Sequence, residues 1–312
     1  MKFFKYIIIA LASMVALVSC EKHGLGYDCE QVSDTENALI VIRRLIPEAT
    51  STATRAYVVK IDDQALWQGT VAYLGQRDYV PAQSRHYIIK PGVHNLKLYL
   101  TADSAEPYYD QNFEVKAGMQ QVIITNLNAA PIVIDNTAEY PTDVTEHTGE
   151  AFFLRFVNLM YQDENYTIPD YKLQYWYQDP TDLEWYPASD PVGFGEASSW
   201  YRIHVDQKAE ERSGQSGTGS SRNWADNRVQ HTVTAGSCSI YYKIKMIGAN
   251  GEDLGWFTYN RKGGAEESDT EYKDYWTGYI GQHRIHYLRG MRVTNGGTSS
   301  NTAAWITQAS KH

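Results

Sequence analysis

The residues of this chain whose types and spacing could do chemistry are aromatic before they are acidic or basic. The richest stretch is YKLQYWYQDPTDLEWYP (171–187). Read with the period of a strand, Tyr171, Leu173, Tyr175 and Tyr177 share one face, while Lys172, Gln174 and Trp176 share the other. The first set makes a core face and leaves Trp176 on the wetter side, with Trp185 and Tyr186 in or beside a turn. Trp200-Tyr201, Trp224 and Tyr275-Trp276 follow further on. Aromatic rings set among polar side chains suit sugar binding, because the C–H face of a pyranose stacks on them while Asn, Asp and Gln bond its hydroxyls. They serve protein interfaces equally well, and they also fill the cores of β-sandwiches. The candidate ligand-binding aromatics are therefore Trp176, Trp185, Tyr186, Trp224 and Trp276. Trp224 stands apart because its Gly/Ser-rich surroundings offer little core to bury it.

Catalytic constellations are missing from the sequence. It holds no G-x-S-x-G, H-E-x-x-H, P-loop or G-x-G-x-x-G pattern. The densest histidine cluster is GQHRIHYLRG (281–290), where the flanks read as strand; His283 and His286 then point to opposite faces and cannot share a metal. They read as surface histidines beside Arg284 and Arg289. The carboxylates of AEES (265–268) and DTEYKD (269–274) read as solvated loops. The expectation is a protein that is not an enzyme and uses no cofactor and no metal.

What positions these residues begins with the leader. Lys2 and Lys5 precede an apolar run from Tyr6 to Val18. Thirteen residues make about 20 Å of helix, too short for a hydrocarbon core of about 30 Å, so residues 1–19 read as a secretory signal rather than a membrane span. Leu17-Val18-Ser19-Cys20 resembles the bacterial lipobox, which implies cleavage before Cys20 and acylation of that residue. Acyl chains on Cys20 then hold the protein to membrane lipid without crossing it. Cys29 and Cys238 remain, either as two separate thiols or as a disulfide pair. Removing the leader takes two of the 28 basic side chains and none of the 37 acidic ones, moving the formal charge from −9 to −11. A charge of that sign disfavours nucleic acid as a partner.

Residues 20–37 read as the lipidated cysteine and a flexible tether. Beyond them, ALIVIRRLI (38–46), RAYVVKI (55–61), RHYIIK (85–90), HNLKLYL (94–100), NFEV (112–115) and QQVIITNL (120–127) read as strands. Turns are expected at Asp62-Asp63, Pro91-Gly92 and Ala117-Gly118. In HNLKLYL, Leu96, Leu98 and Leu100 share one face. The second half restates this order. VIRRLI (41–46) aligns with FLRFVN (153–158), setting Arg43 against Arg155. YVVKI (57–61) aligns with YKLQY (171–175), and KPGVHNLKLYL (90–100) with TAGSCSIYYKIKM (234–246). The spacing grows between the second and third matches, which places a long exposed loop at 206–227. The fold expected is all-β: two tandem antiparallel β-sandwiches of immunoglobulin-like type, at 38–135 and 150–312, joined by the polar linker 136–149.

FFLRFVNLMY opening a copy, the YKLQYW strand, and the Gly-bracketed KPGVHNLKLYL and VKAGMQQVIITNL strands resemble the domain of unknown function 4397. That family is common, often in tandem, in secreted and lipid-anchored bacterial proteins. The lipobox, short acidic tether and Tyr-rich domains are also similar to Bacteroidetes lipoproteins. The resemblance implies a cell-envelope lipoprotein, anchored in the outer membrane with its periplasmic or surface face left open. Its two modules would bind or scaffold other envelope components without catalysis. Alternatives are a glycan-binding lipoprotein for polysaccharide capture and a fimbria-associated anchor or subunit, with AAWITQASKH (303–312) as the terminal strand to follow.

Overall fold

Alternation of apolar and polar residues makes this chain all-β, and the computed structural model contains no helix among its described residues. Those residues are 35–47, 56–72, 86–137, 151–179, 182, 184–204, 233–234, 237–260, 270–279, 281–294 and 304–310. All lie within the unit Asp34–His312. The first set of strands is β1 (Ala38–Arg44), β2 (Ala56–Ile61), β3 (Gln64–Ala72), β4 (Tyr87–Ile89), β5 (Gly92–Tyr99), β6 (Tyr109–Val115), β7 (Gly118–Ile124) and β8 (Ile132–Asp135). They form two four-stranded sheets, ordered β4-β1-β7-β8 and β3-β2-β5-β6. Asp62 and Asp63, both at positive φ (50° and 63°), close the β2–β3 hairpin as a two-residue turn whose twist matches the strands.

The second set is β9 (Ala151–Tyr161), β10 (Lys172–Gln178), β11 (Trp185–Pro187), β12 (Ala197–His204), β13 (Val233–Thr234), β14 (Ser237–Ile247), β15 (Asp253–Trp256), β16 (Thr258–Tyr259), β17 (Thr270–Glu271), β18 (Lys273–Tyr279), β19 (His283–Met291) and β20 (Trp305–Ser310). It follows the same plan. One sheet is ordered β12-β9-β19-β20, and the other runs β11-β10-β14, with β13, β15 and β18 also paired to β14. The segments aligned as a repeat fall on equivalent strands: β1 with β9, β2 with β10, β5 with β14. Each copy is antiparallel except for one pair, β1 with β7 and β9 with β19, which run parallel. The C-terminal strand β20 pairs antiparallel with β19 of its own sheet.

Each pair of sheets encloses a core. Ile40, Ile42, Val59, Leu96, Leu98 and Val122 fill the first. Leu100 does not join Leu96 and Leu98, because β5 ends at Tyr99 and the chain turns outward. In the second, Phe152, Leu154 and Phe156 of β9 meet Leu173 and Tyr175 of β10 and Ile244 of β14. The β4-β1-β7-β8 and β12-β9-β19-β20 sheets also bury their other faces against each other. Ile123, Ile134, Val157, Leu159, Ile285 and Tyr287 form this third cluster. Polar groups in it are matched across the two copies: Arg155 Nη1 donates to Asn136 Oδ1 at 2.9 Å, Thr125 and Tyr161 share a 2.9 Å hydroxyl bond, and Tyr287 donates to Gln121. Arg43 lies 4.9 Å from the Tyr287 ring. A sheet covered on both faces needs apolar residues at successive positions, which is why all eleven residues of β9, AFFLRFVNLMY, are buried.

Candidate functional site

With two of the four main sheets covered on both sides, the outer faces left open belong to β3-β2-β5-β6 and to the β11-β10-β14 sheet. The second carries the aromatic residues. On β10, Leu173, Tyr175 and Tyr177 point into the core, so Gln174 and Trp176 point outward. Opposite them on β14, Ile240, Tyr242 and Ile244 are inward, which turns Lys243 and Lys245 out; the register sets Trp176 against Lys243 and Gln174 against Lys245. β11 places Trp185 against Gln178, and β15 places Trp256 against Lys245.

These five side chains interleave. Lys243 Nζ lies 5.0 Å from the Trp185 ring and 4.9 Å from the Trp256 ring. Lys245 Nζ lies 4.9 Å from Trp256 and 4.5 Å from Trp176. Trp256 is 5.9 Å from each of its two tryptophan neighbours, edge-on to Trp176 at 88° and tilted at 58° to Trp185. The Trp176 indole N–H donates to Gln174 Oε1 at 2.8 Å. Ammonium groups held against ring faces gain about 0.5–2 kcal/mol per contact, so the ladder Trp185–Lys243–Trp256–Lys245–Trp176 arrives at a ligand already ordered. All three rings remain partly exposed.

Each lysine also has an acidic neighbour: Glu271 beside Lys243 and Asp253 beside Lys245, both at 2.8 Å. The hydrogen bond from Lys245, with a second from the Gly255 backbone N–H, holds the Asp253 carboxyl below its ordinary value. Tyr241 and Tyr275 extend the face, with rings 5.6 Å apart. Lys172 and Lys273 are exposed on it as well. The equivalent face of the first copy is built otherwise. Asn95 Nδ2 bonds Asp110 and Asn112 at 2.7 and 3.0 Å, and Lys97 pairs with Asp63 at 2.7 Å. Among its described side chains the one ring is Tyr99, 4.8 Å from Lys60. The fold therefore does not require the tryptophan ladder.

Of the rings singled out in the sequence, the structure brings Trp176 and Trp185 together. Tyr186 faces the other way, opposite Tyr177, with its hydroxyl donating to Asp182 at 2.7 Å. Trp276 is a correction. It is a core residue, 4% exposed, its ring 4.2 Å from that of Phe152 and tilted by 32°, and its N–H donates to the Tyr175 hydroxyl at 2.7 Å. Its neighbour Tyr275 is the outward member of that pair, since β18 sets Tyr275 against Tyr241 and Trp276 against Ile240. The histidines do face opposite ways, yet His286 is wholly buried rather than at the surface. Among the described residues no cluster of His, Cys, Asp or Glu is arranged to hold a metal ion. Cys20, Cys29, Trp224 and the 206–227 loop lie outside the described residues, as does the side chain of Cys238.

Trp256 is the member that the sequence reading missed. Its signal is the adjacent pair Trp256-Phe257 after the turn at Ala249–Gly251: on a strand one ring goes in and the other out, and Phe257 is the buried one. No family model matches the chain, and no curated protein matches it.

Proposed function

We propose that this protein is a non-catalytic, lipid-anchored component of a bacterial cell envelope that binds glycan with the outer face of its β11-β10-β14 sheet. The leader ending in Leu17-Val18-Ser19-Cys20 supports the anchor, and the likeness of both copies to the domain of unknown function 4397 supports the envelope setting. The observation that carries the binding role is the Trp185–Trp256–Trp176 ladder, partly exposed on a sheet face where the described residues of the sister copy are polar. Rings spaced along a sheet suit a chain of sugar units. Gln174 and the lysines supply donors for hydroxyls, and the two-module core holds the face rigid.

The test is a glycan array probed with the full chain in detergent, alongside Trp256→Ala and Trp185→Ala. Both substitutions remove rings from the surface, so folding is retained and the array signal falls at least tenfold. Signal that ignores both substitutions would remove the role of this face.

A further inference from the structure

The charge on the face narrows the ligand. Resting on the glycan reading above, we infer that the sugar chain taken by the Trp–Lys ladder is anionic, with carboxylate or sulfate groups recognised by Lys243 and Lys245. The chain as a whole is acidic, at −9, so a cluster of lysines is not a by-product of basic composition. Among the described residues of this face, Lys172, Lys243 and Lys245 stand against Asp253 and the neighbouring Glu271. The excess of positive charge lies where the rings are.

The lysines are also placed to read a sugar rather than merely to attract one. Each Nζ sits within 5.0 Å of two ring centroids, so a sugar laid against those rings brings its substituents beside an ammonium group. The resident counter-ions are readily exchanged. Glu271 and Asp253 are 35% and 57% exposed, against 18% and 17% for their lysines, so each carboxylate is the half of its pair that water reaches more readily. A lysine ammonium carries three donors, so a ligand oxyanion can join or replace the resident carboxylate without uncovering a buried charge. Among the described side chains of the first copy, Lys97 is paired with Asp63 beside Asp110 and no tryptophan accompanies it.

A protein partner fits less well. The three tryptophans are only partly exposed, and the large apolar side chains of this sheet exposed beyond a third are divided among β11 (Tyr186), β15 (Leu254) and β18 (Tyr275 and Tyr279). Lys243 and Lys245 stand against all three rings, and charged residues of that kind are depleted at the centre of a protein interface.

The experiment measures binding of the full chain, in detergent at low and moderate salt, to four polymers: polygalacturonate, dextran sulfate, neutral dextran and polyglutamate. Polygalacturonate or dextran sulfate should bind at least tenfold more tightly than dextran, with affinity falling as salt rises, and the preferred one tells carboxylate from sulfate. Lys243→Gln with Lys245→Gln should weaken that binding about tenfold or more. Asp253→Asn with Glu271→Gln, which removes the resident counter-ions and leaves the rings, should tighten it severalfold. A lysine with a purely structural role would not produce that gain. Dextran binding as tightly as the acidic glycans, unaffected by the lysine substitutions, would overturn the charge inference and leave the glycan reading standing. Polyglutamate binding as well as the acidic glycans would make this an acidic-peptide site and overturn the inference. Binding to none of the four would overturn the glycan reading itself.

Discussion

His286 stands wholly buried in the second core, its ring 5.4 Å from Trp276 and 5.7 Å from Tyr175. Trp276 donates to the Tyr175 hydroxyl oxygen, and His286 Nδ1 lies 3.3 Å from the same hydroxyl. That arrangement calls for a neutral imidazole. Burial pushes its pKa down from the ordinary 6.5 to about 3, with the nearby charge of Arg284 acting in the same direction. Between those two values the unfolded chain binds a proton that the folded chain refuses. Stability from this residue is therefore complete above pH 6.5 and is lost as the pH falls toward 3. Going from pH 7.5 to 4.5 should cost roughly 2–3 kcal/mol from this histidine alone. Carboxylates held low by lysine partners, Asp63 and Asp253, lose their contribution at lower pH and do so whatever occupies position 286. The assay is urea unfolding at both pH values for the wild type and His286→Phe. The phenyl ring keeps the aromatic packing but takes a hydrogen-bond partner from the Tyr175 hydroxyl, so the variant starts roughly 1–3 kcal/mol less stable at pH 7.5. Its further loss on acidification should be smaller than that of the wild type by about 2–3 kcal/mol. Equal acid losses in the two proteins would refute the argument that burial keeps this imidazole neutral.

Two further outcomes follow from the packing and the leader. Ile285 is 1% exposed in the cluster between the two copies, so Ile285→Asp should split unfolding into two transitions, read by far-ultraviolet circular dichroism against tryptophan fluorescence, where the wild type shows one. Metabolic labelling with an alkynyl fatty acid should mark the wild type, and Cys20→Ala should lose both the label and the membrane fraction. Retention of both by the variant would remove the proposed anchor.

The strands that could be read from the sequence are those in which period and punctuation agree. β2, β5 and β7 each carry β-branched or leucine runs next to a turn at Asp62-Asp63, Pro91-Gly92 or Ala117-Gly118, and Gly92 and Gly118 sit at φ of 138° and 102°. β3, QALWQGTVA, lacks such a run and is ordered by pairing with β2, which local sequence does not reveal. The face of β10 was legible because Tyr171, Leu173, Tyr175 and Tyr177 mark the core unambiguously. On β18 the adjacent rings Tyr275 and Trp276 leave the choice open, and the register with β14 decides it. Gly278, two residues on and on the same face, leaves the space that the Trp276 ring fills. His286, expected at the surface, is buried for a related reason. β19 is covered on both faces, so polarity no longer tells inside from outside.

The central claim is that the tryptophan ladder is where ligand lands, and indole N–H resonances of the full chain during a glycan titration test it most directly. Trp176, Trp185 and Trp256 should shift with saturation, while Trp276, sealed in the core with its N–H on Tyr175, should stay where it is. A saturable titration that leaves the three ladder indoles unmoved would contradict the account.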